Sequence, residues 1–229
     1  MIRTTYNVSI TRVIKQQEPP YLDSYPVPLC NGVQLNLPLQ PLPGGGQAIA
    51  LLMSNQMPFE VEQELSVLLS DVAAESAAEV IVGVPTLGLG YARNVAQSLG
   101  FSRYVPLGNS RKFWYDDALS VPVRSVTSPD GNKRLYLDPA LVERVVGKRA
   151  LIVDDVINTG GSAGAAIELL QRAGAEVVGL CVVLVEGNAW VNALGRLDPD
   201  WPGRVRSLGR IPMFKSVAGG WAPENVDAG

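Results

Sequence analysis

Apolar residues along this chain recur with two different periods, and each change of period marks where a strand gives way to a helix. Val33, Leu35, Leu37 and Leu39 take alternate positions, which predicts a half-exposed strand. After a flexible break at residues 43–46, an apolar run over 48–53 reads as another strand. Over 60–78 the spacing lengthens, and Val61, Leu65, Leu68 and Val72 fall on one face of a helix. A short buried strand is predicted at 80–84, a helix over 91–99 closed by Gly100, and a further strand at 103–107. Residues 108–138 are polar and aromatic. A hairpin is predicted there between 123–127 and 134–137, about the turn Pro129-Asp130-Gly131-Asn132. Asp138-Pro139 opens a short helix through Val145. Two more buried strands follow at 150–153 and 177–185, separated by a helix that ends at Gly174. A last strand near 204–208 leads into an irregular tail.

Strands that alternate with helices argue for an α/β fold, with a central, mainly parallel sheet and helices on both faces. The N-terminal segment does not fit that alternation and reads as an added element. The chain therefore divides into an N-terminal element at 1–46, a core at 47–185 and a C-terminal segment at 186–229. No internal repeat is apparent.

At 229 residues the chain is long enough to bury a sizeable core. A net charge of −3 gives no electrostatic footprint for nucleic acid, and no apolar run is long enough for a membrane span. The first residues lack the apolar stretch of a secretory signal. With only Cys30 and Cys181 present, the expectation is a reduced, cytoplasmic protein. Histidine is missing altogether, which excludes a Ser-His-Asp triad, a Cys-His dyad and histidine-ligated zinc in one step. Acid–base work is left to Asp, Glu, Lys, Tyr or the substrate.

Chemistry concentrates in residues 149–174, RALIVDDVINTGGSAGAAIELLQRAG. A buried strand runs into two adjacent carboxylates, Asp154 and Asp155, then a Thr-Gly-Gly-Ser turn, then a helix. The turn offers backbone N–H groups at a helix N-terminus, where the dipole and the unpaired donors favour a phosphate. Gly160 and Gly161 let the backbone approach an anion with no Cβ in the way. A phosphate site beside two acids suits a ligand that also carries hydroxyls or a metal, such as a sugar phosphate. An Asp-Asp pair also follows a strand in receiver domains, but there it lies near the domain start; here it is late and followed by the glycine turn. A purely structural reading, with the acids capping the helix and the glycines turning the chain, uses the same residues. The GxxxxGK[ST] phosphate loop is absent, and Gly88-Leu89-Gly90 with Arg93 only partly mimics a dinucleotide fingerprint, without its ribose-binding acid.

Residues 151–162, LIVDDVINTGGS, resemble the signature of the type I phosphoribosyltransferases, which bind 5-phosphoribosyl 1-pyrophosphate. The resemblance implies that fold, with a hood added to the core from 1–46 and 186–229 and a flexible lid at about 108–138. It implies that Asp154 and Asp155 hold the ribose hydroxyls, with magnesium bound through water. Asn158, Thr159, Gly160, Gly161 and Ser162 would cradle the 5-phosphate, with Ile157 beside the base. Thr86, Leu87 and Gly88 match the loop that binds pyrophosphate, and Arg111 and Lys112 the start of a lid that brings cations to the leaving group. Lys133 and Arg134 are alternative lid cations. The implied activity is nucleotide salvage: transfer of the phosphoribosyl group to a nucleobase, with a purine favoured, by a homodimer that binds neither nucleic acid nor membrane. Where 6-oxopurine enzymes carry Asp and adenine or xanthine enzymes Ala, this chain has Asn158, which can hydrogen-bond but not act as a base. The pattern of lengths lies closest to the adenine branch. Trp190, Phe214 and Trp221 are candidates for stacking on the base. The alternative is a regulator of the same fold that senses the phosphoribosyl ligand without turnover.

Overall fold

A computed structural model describes residues 6–14, 17–123 and 133–224. The chain opens with four strands, β1 (Ser9–Thr11), β2 (Ser24–Pro28), β3 (Gln34–Pro41) and β4 (Gln47–Ala50). β3 is the centre of this group, antiparallel to β2 along one edge and to β1 and then β4 along the other. Pro38, which lacks an N–H, sits where the partner changes from β1 to β4, so no ladder bond is lost there. The leucine alternation in β3 is realised as a buried face: Leu35, Leu37 and Leu39 are all sealed from solvent.

The core follows. Helix α1 (Phe59–Ala74) leads to strand β5 (Val80–Gly83), helix α2 (Gly88–Ser98) and strand β6 (Val105–Pro106). Strands β7 (Ser120–Pro122) and β8 (Arg134–Tyr136) form a separate antiparallel pair. Strand β9 (Arg149–Ile157), helix α3 (Gly161–Arg172), strand β10 (Glu176–Glu186), helix α4 (Ala189–Gly195) and strand β11 (Val205–Ile211) complete it. The sheet order is β11-β10-β9-β5-β6, every neighbour parallel. Parallel strands buried on both faces need no polar–apolar alternation, which is why β9 and β10 read as nearly continuous apolar runs. Leu65, Leu69, Tyr91 and Val95 of α1 and α2 pack on one face against Ile81, Leu151, Val153 and Val183. Ala166, Leu169 and Leu170 of α3, with Trp190 of α4, pack on the other against Val82, Ile152 and Val182. The order reverses between β5 and β9, and in open α/β sheets the ligand crevice lies beyond the strand ends at such a point.

The expected irregular tail is instead a hairpin of β12 (Phe214–Val217) and β13 (Gly220–Pro223), and β12 pairs with β4. Both chain ends thus build one six-stranded sheet, whose core is continuous with the α1–α2 side. The two sheets meet at Gly209 of β11, where any Cβ would stand 2.7 Å from Leu29 and 2.9 Å from the Pro28 carbonyl. Phe214 is fully buried and edge-on to Tyr25 (4.9 Å between ring centroids), so it packs the sheet and has no face for a base. Trp190 is likewise buried, its indole N–H donating to the Gly187 carbonyl.

Other boundaries moved. Helix α2 starts at Gly88, three residues earlier than Tyr91, and Gly88, which read as loop, packs directly against β9. The strand expected at 103–107 is reduced to β6, and the 204–208 strand extends to Ile211. The Asp138 cap is present, its carboxylate accepting from Ala140 N–H, but the turn it opens is a 3₁₀ helix over Pro139–Arg144. Ser120–Pro122 pairs with Arg134–Tyr136 and Val123 N–H donates to the Lys133 carbonyl, while the rest of the strand expected at 123–127 and the turn at 129–132 lie outside the described residues. Arg134 is engaged there, donating to the Ser120 hydroxyl at 2.7 Å.

Candidate functional site

The crevice at the switch point is built by the loop after β9 and the loop after β5. β9 ends at Ile157, and Gly160 turns the chain into α3 with φ of +80°, a left-handed conformation that favours glycine. A side chain at Gly160 would also meet Ala193 of α4 at 3.1 Å, so two independent constraints hold the residue small. No side chain caps α3, which leaves the N–H groups of its first turn available to a ligand. They border a cavity of about 140 Å³ lined by Asp154 and the loop from Asn158 through Ala163. Ile157 is buried at its wall.

Asp154 is buried and Asp155 half-buried. The Asp155 backbone N–H donates to Asp154 Oδ1 at 2.9 Å. Burial pushes the Asp154 carboxyl well above the usual carboxylate range, with the adjacent Asp155 charge adding to it. Burial raises Asp155 as well, opposed by its hydrogen bond to Asp154. Two desolvated carboxylates side by side attract a proton, a cation or hydroxyl donors. No cluster of three or more metal-ligating side chains occurs among the described residues. The donor set therefore fits a magnesium ion held by one or two carboxylates, water and ligand oxygens, and does not fit a dedicated protein cage.

Gly88 approaches the acids from the opposite side. A Cβ there would stand 2.5 Å from Asp154 Oδ1 and 2.7 Å from Asp154 Cα, so glycine is what lets the start of α2 seat directly on Asp154. Gly88 is buried by this contact, while Thr86 is exposed and Leu87 half-buried beside it. Asn109 donates from Nδ2 to Thr86 Oγ1 at 3.2 Å and ties this loop to the segment after β6; the sequence did not single it out.

The remaining expected cations are not drawn into the crevice. Arg111 forms a two-pronged pair with Asp117, Nε to Oδ1 at 3.0 Å and Nη2 to Oδ2 at 3.1 Å. Lys112 is exposed, its carbonyl accepting from Tyr115 N–H. Phe113 stands almost wholly in solvent, edge-on to Trp114. Trp114 in turn donates its indole N–H to Asp138.

One further acid was also missed. Glu186, the last residue of β10, is buried and accepts from Asn158 Nδ2 at 2.5 Å. Burial raises its carboxyl above the ordinary range, and the Asn158 hydrogen bond partly opposes that shift. The available signal was an acid closing nine residues of strand without another charge, at the carboxyl end of a parallel strand beside the signature loop.

The family model for the phosphoribosyl transferase domain matches residues 60–195, more than half of the chain. Over 109 residues, 48% of this chain and 57% of the relative, the sequence is 38% identical to an adenine phosphoribosyltransferase of Erythrobacter litoralis. It is 36% identical over 107 residues to adenine phosphoribosyltransferase 3 of Arabidopsis thaliana, covering 47% of this chain and 54% of that one. In these alignments the chain spans about half the length of the curated relatives it matches. The crystal structure of adenine phosphoribosyltransferase from Thermoanaerobacter pseudethanolicus superimposes with a TM-score of 0.58 at 18% identity, covering 76% of this chain and 95% of that one.

Proposed function

Because this chain belongs to the phosphoribosyl transferase domain family and has the type I phosphoribosyltransferase fold, we propose that it transfers the 5-phosphoribosyl group from 5-phosphoribosyl 1-pyrophosphate to a purine, releasing pyrophosphate in nucleotide salvage. The observation that carries the reading is the uncapped start of α3 beside the adjacent carboxylates of buried Asp154 and half-buried Asp155, at the switch point of a parallel sheet. Donors for a phosphate and acceptors for ribose hydroxyls there lie one loop apart.

In the proposed reaction a ring nitrogen of the base bonds to C1 of the ribose as the C1–O bond to pyrophosphate breaks, and the nitrogen's proton is released. Residues Asn158 to Ser162 bind the 5-phosphate and fix the ribose in place, which lowers the entropic part of the barrier. Asp154 and Asp155 accept from the ribose hydroxyls and hold the sugar's orientation. Asp154 and Asp155 would hold a magnesium ion through water, and the ion would supply positive charge for the pyrophosphate. Thr86, Leu87 and Gly88 face the pyrophosphate end, and Lys112 and Arg111 bring positive charge as the lid closes. For Arg111 this requires leaving Asp117.

An adenine-type base is favoured by the relatives, which are adenine phosphoribosyltransferases over the matched part. The six-stranded sheet made from both chain ends, β4 (Gln47–Ala50) included, is proposed as the hood over the base, beside a core that runs from α1 through β11. A cytoplasmic homodimer is part of the same proposal. What bears on it is that no described helix is long and apolar enough to cross a membrane, and that α1 leaves Phe59 and Val67 in solvent.

The test is to supply phosphoribosyl pyrophosphate and magnesium with a panel of purines and pyrimidines and to measure pyrophosphate. Release with a purine supports the reading. Silence with every base, together with tight binding of phosphoribosyl pyrophosphate, replaces it with a ligand-sensing role for the same crevice.

A further inference from the structure

Asn158 lies in the signature loop, exposed toward the crevice, and its amide nitrogen is 2.5 Å from Glu186 Oε2. The two residues are 28 positions apart and meet only because β9 and β10 are adjacent and parallel, with Ile157 paired to Val185. Glu186 is 6% exposed, and among the described residues no Lys or Arg pairs with it. The nearby Arg210 is engaged elsewhere, donating to the Gly187 carbonyl and to Oδ1 of Asn188, the residue that precedes α4. A buried acid with a single amide partner stabilises the fold poorly, because its desolvation is offset by one hydrogen bond only. That makes the pair more intelligible as a device for the site than as packing.

An ionised carboxylate accepts hydrogen bonds and donates none. The nitrogen of the Asn158 amide faces Glu186 and donates to Oε2, which leaves Oδ1 as the atom presented on the other side of the amide. Resting on the phosphoribosyl-transfer reading above, we propose that Glu186 is a positioning residue that fixes the Asn158 amide so that its carbonyl meets the acceptor. The site then selects a base carrying an amino group at that position over one carrying a carbonyl. An amino N–H donates to Oδ1; a ring carbonyl would set two acceptors against each other and leave both unpaired. Ala at position 158 would have nothing to orient, and an ionised Asp would set a second acceptor-only carboxylate against Glu186.

Steady-state kinetics on the full chain with adenine and hypoxanthine, which differ at one amino-for-carbonyl exchange, test this. Wild type is expected to favour adenine in kcat/KM. In Glu186→Gln the side chain keeps its shape but can donate as well as accept, so the Asn158 amide is free to turn. The adenine-to-hypoxanthine ratio then falls about tenfold, the size of one oriented hydrogen bond, through KM for the base and not through kcat. Asn158→Ala should bring the ratio to the same value and make Glu186→Gln silent in its background. A merely structural Glu186 would lower the rates for both bases together, with a lower melting temperature and an unchanged ratio, and that result overturns the proposal. A wild type that uses neither purine overturns the transfer reading itself, and this inference with it. A wild type active on purines whose ratio survives both substitutions overturns only the inference.

Discussion

The loop after β9 and the segment after β6 are both expected to meet the ligand, yet they are held in opposite ways. The first is rigid and enclosed: Gly160 is confined by its backbone angle and by α4, Asp154 lies under Gly88, and Asn158 is held by Glu186. The second is exposed and tied to itself, with Arg111 on Asp117 and Phe113 in solvent. Preorganised groups suit what must be in place before the reaction, the phosphate and the ribose. Groups held by surface pairs of small energy, typically under about 1 kcal/mol, can be re-used when a charged leaving group arrives.

The sharpest way to break that contrast is at the acids. Asp154→Asn with Asp155→Asn is expected to lower pyrophosphate release by roughly a thousandfold or more, as for loss of groups that hold the reacting sugar. The same variant should melt at a temperature no lower than wild type, and about 2–4 °C higher for each kcal/mol of carboxylate desolvation removed in a chain of this length. Retained turnover would leave the enclosed loop without its central function.

Next in size is Gly160→Ala. Left-handed backbone costs a non-glycine residue about 1–2 kcal/mol, and here the added methyl also meets Ala193 at 3.1 Å. Weaker phosphoribosyl pyrophosphate binding, together with a lower melting temperature, is expected from calorimetry and thermal unfolding. A normal affinity would mean that the loop is not the phosphate cradle.

Lys112→Ala should separate the two regions by kinetic signature. We expect kcat to fall about 10–100-fold with little change in KM for phosphoribosyl pyrophosphate, as when an interaction is made chiefly in the transition state. The melting temperature should not move, since Lys112 is exposed. An equal rise in KM would place Lys112 with the preorganised groups.

The smallest expected effect is on the pH dependence of stability. Asp154, Asp155 and Glu186 all have folded-state pKa values raised by burial. Their contribution to stability is complete below the ordinary carboxylate pKa of about 4 and is lost as pH rises through the raised values. Thermal midpoints from about pH 4 to 7 should therefore fall less steeply in Asp154→Asn and Glu186→Gln than in wild type, whatever the exposed carboxylates add to both. Parallel profiles would show that these acids are not desolvated.

Much of the enclosed loop could be read from adjacent residues. A strand, two acids, a glycine turn and a helix lie within residues 149–174, and each is a local property of the backbone: apolar burial, φ at Gly160, free N–H groups at a helix start. The segment after β6 was legible only as a change in composition, because exposed side chains choose partners by small energies that no sequence period encodes. Phe214 and Trp190 looked available for stacking and proved to be packing residues; aromatic character is the same in both settings.

What the sequence determined by itself was the parallel α/β core and the strand–glycine turn–helix backbone of its signature, because these rest on short-range backbone preferences and unbroken apolar runs. Tertiary structure alone decided that both chain ends close into one antiparallel sheet, that Gly88 sits on Asp154, and that Glu186 holds Asn158. Such meetings depend on strand order and on the summed burial of distant segments, which fix position across many residues where local propensity fixes only shape.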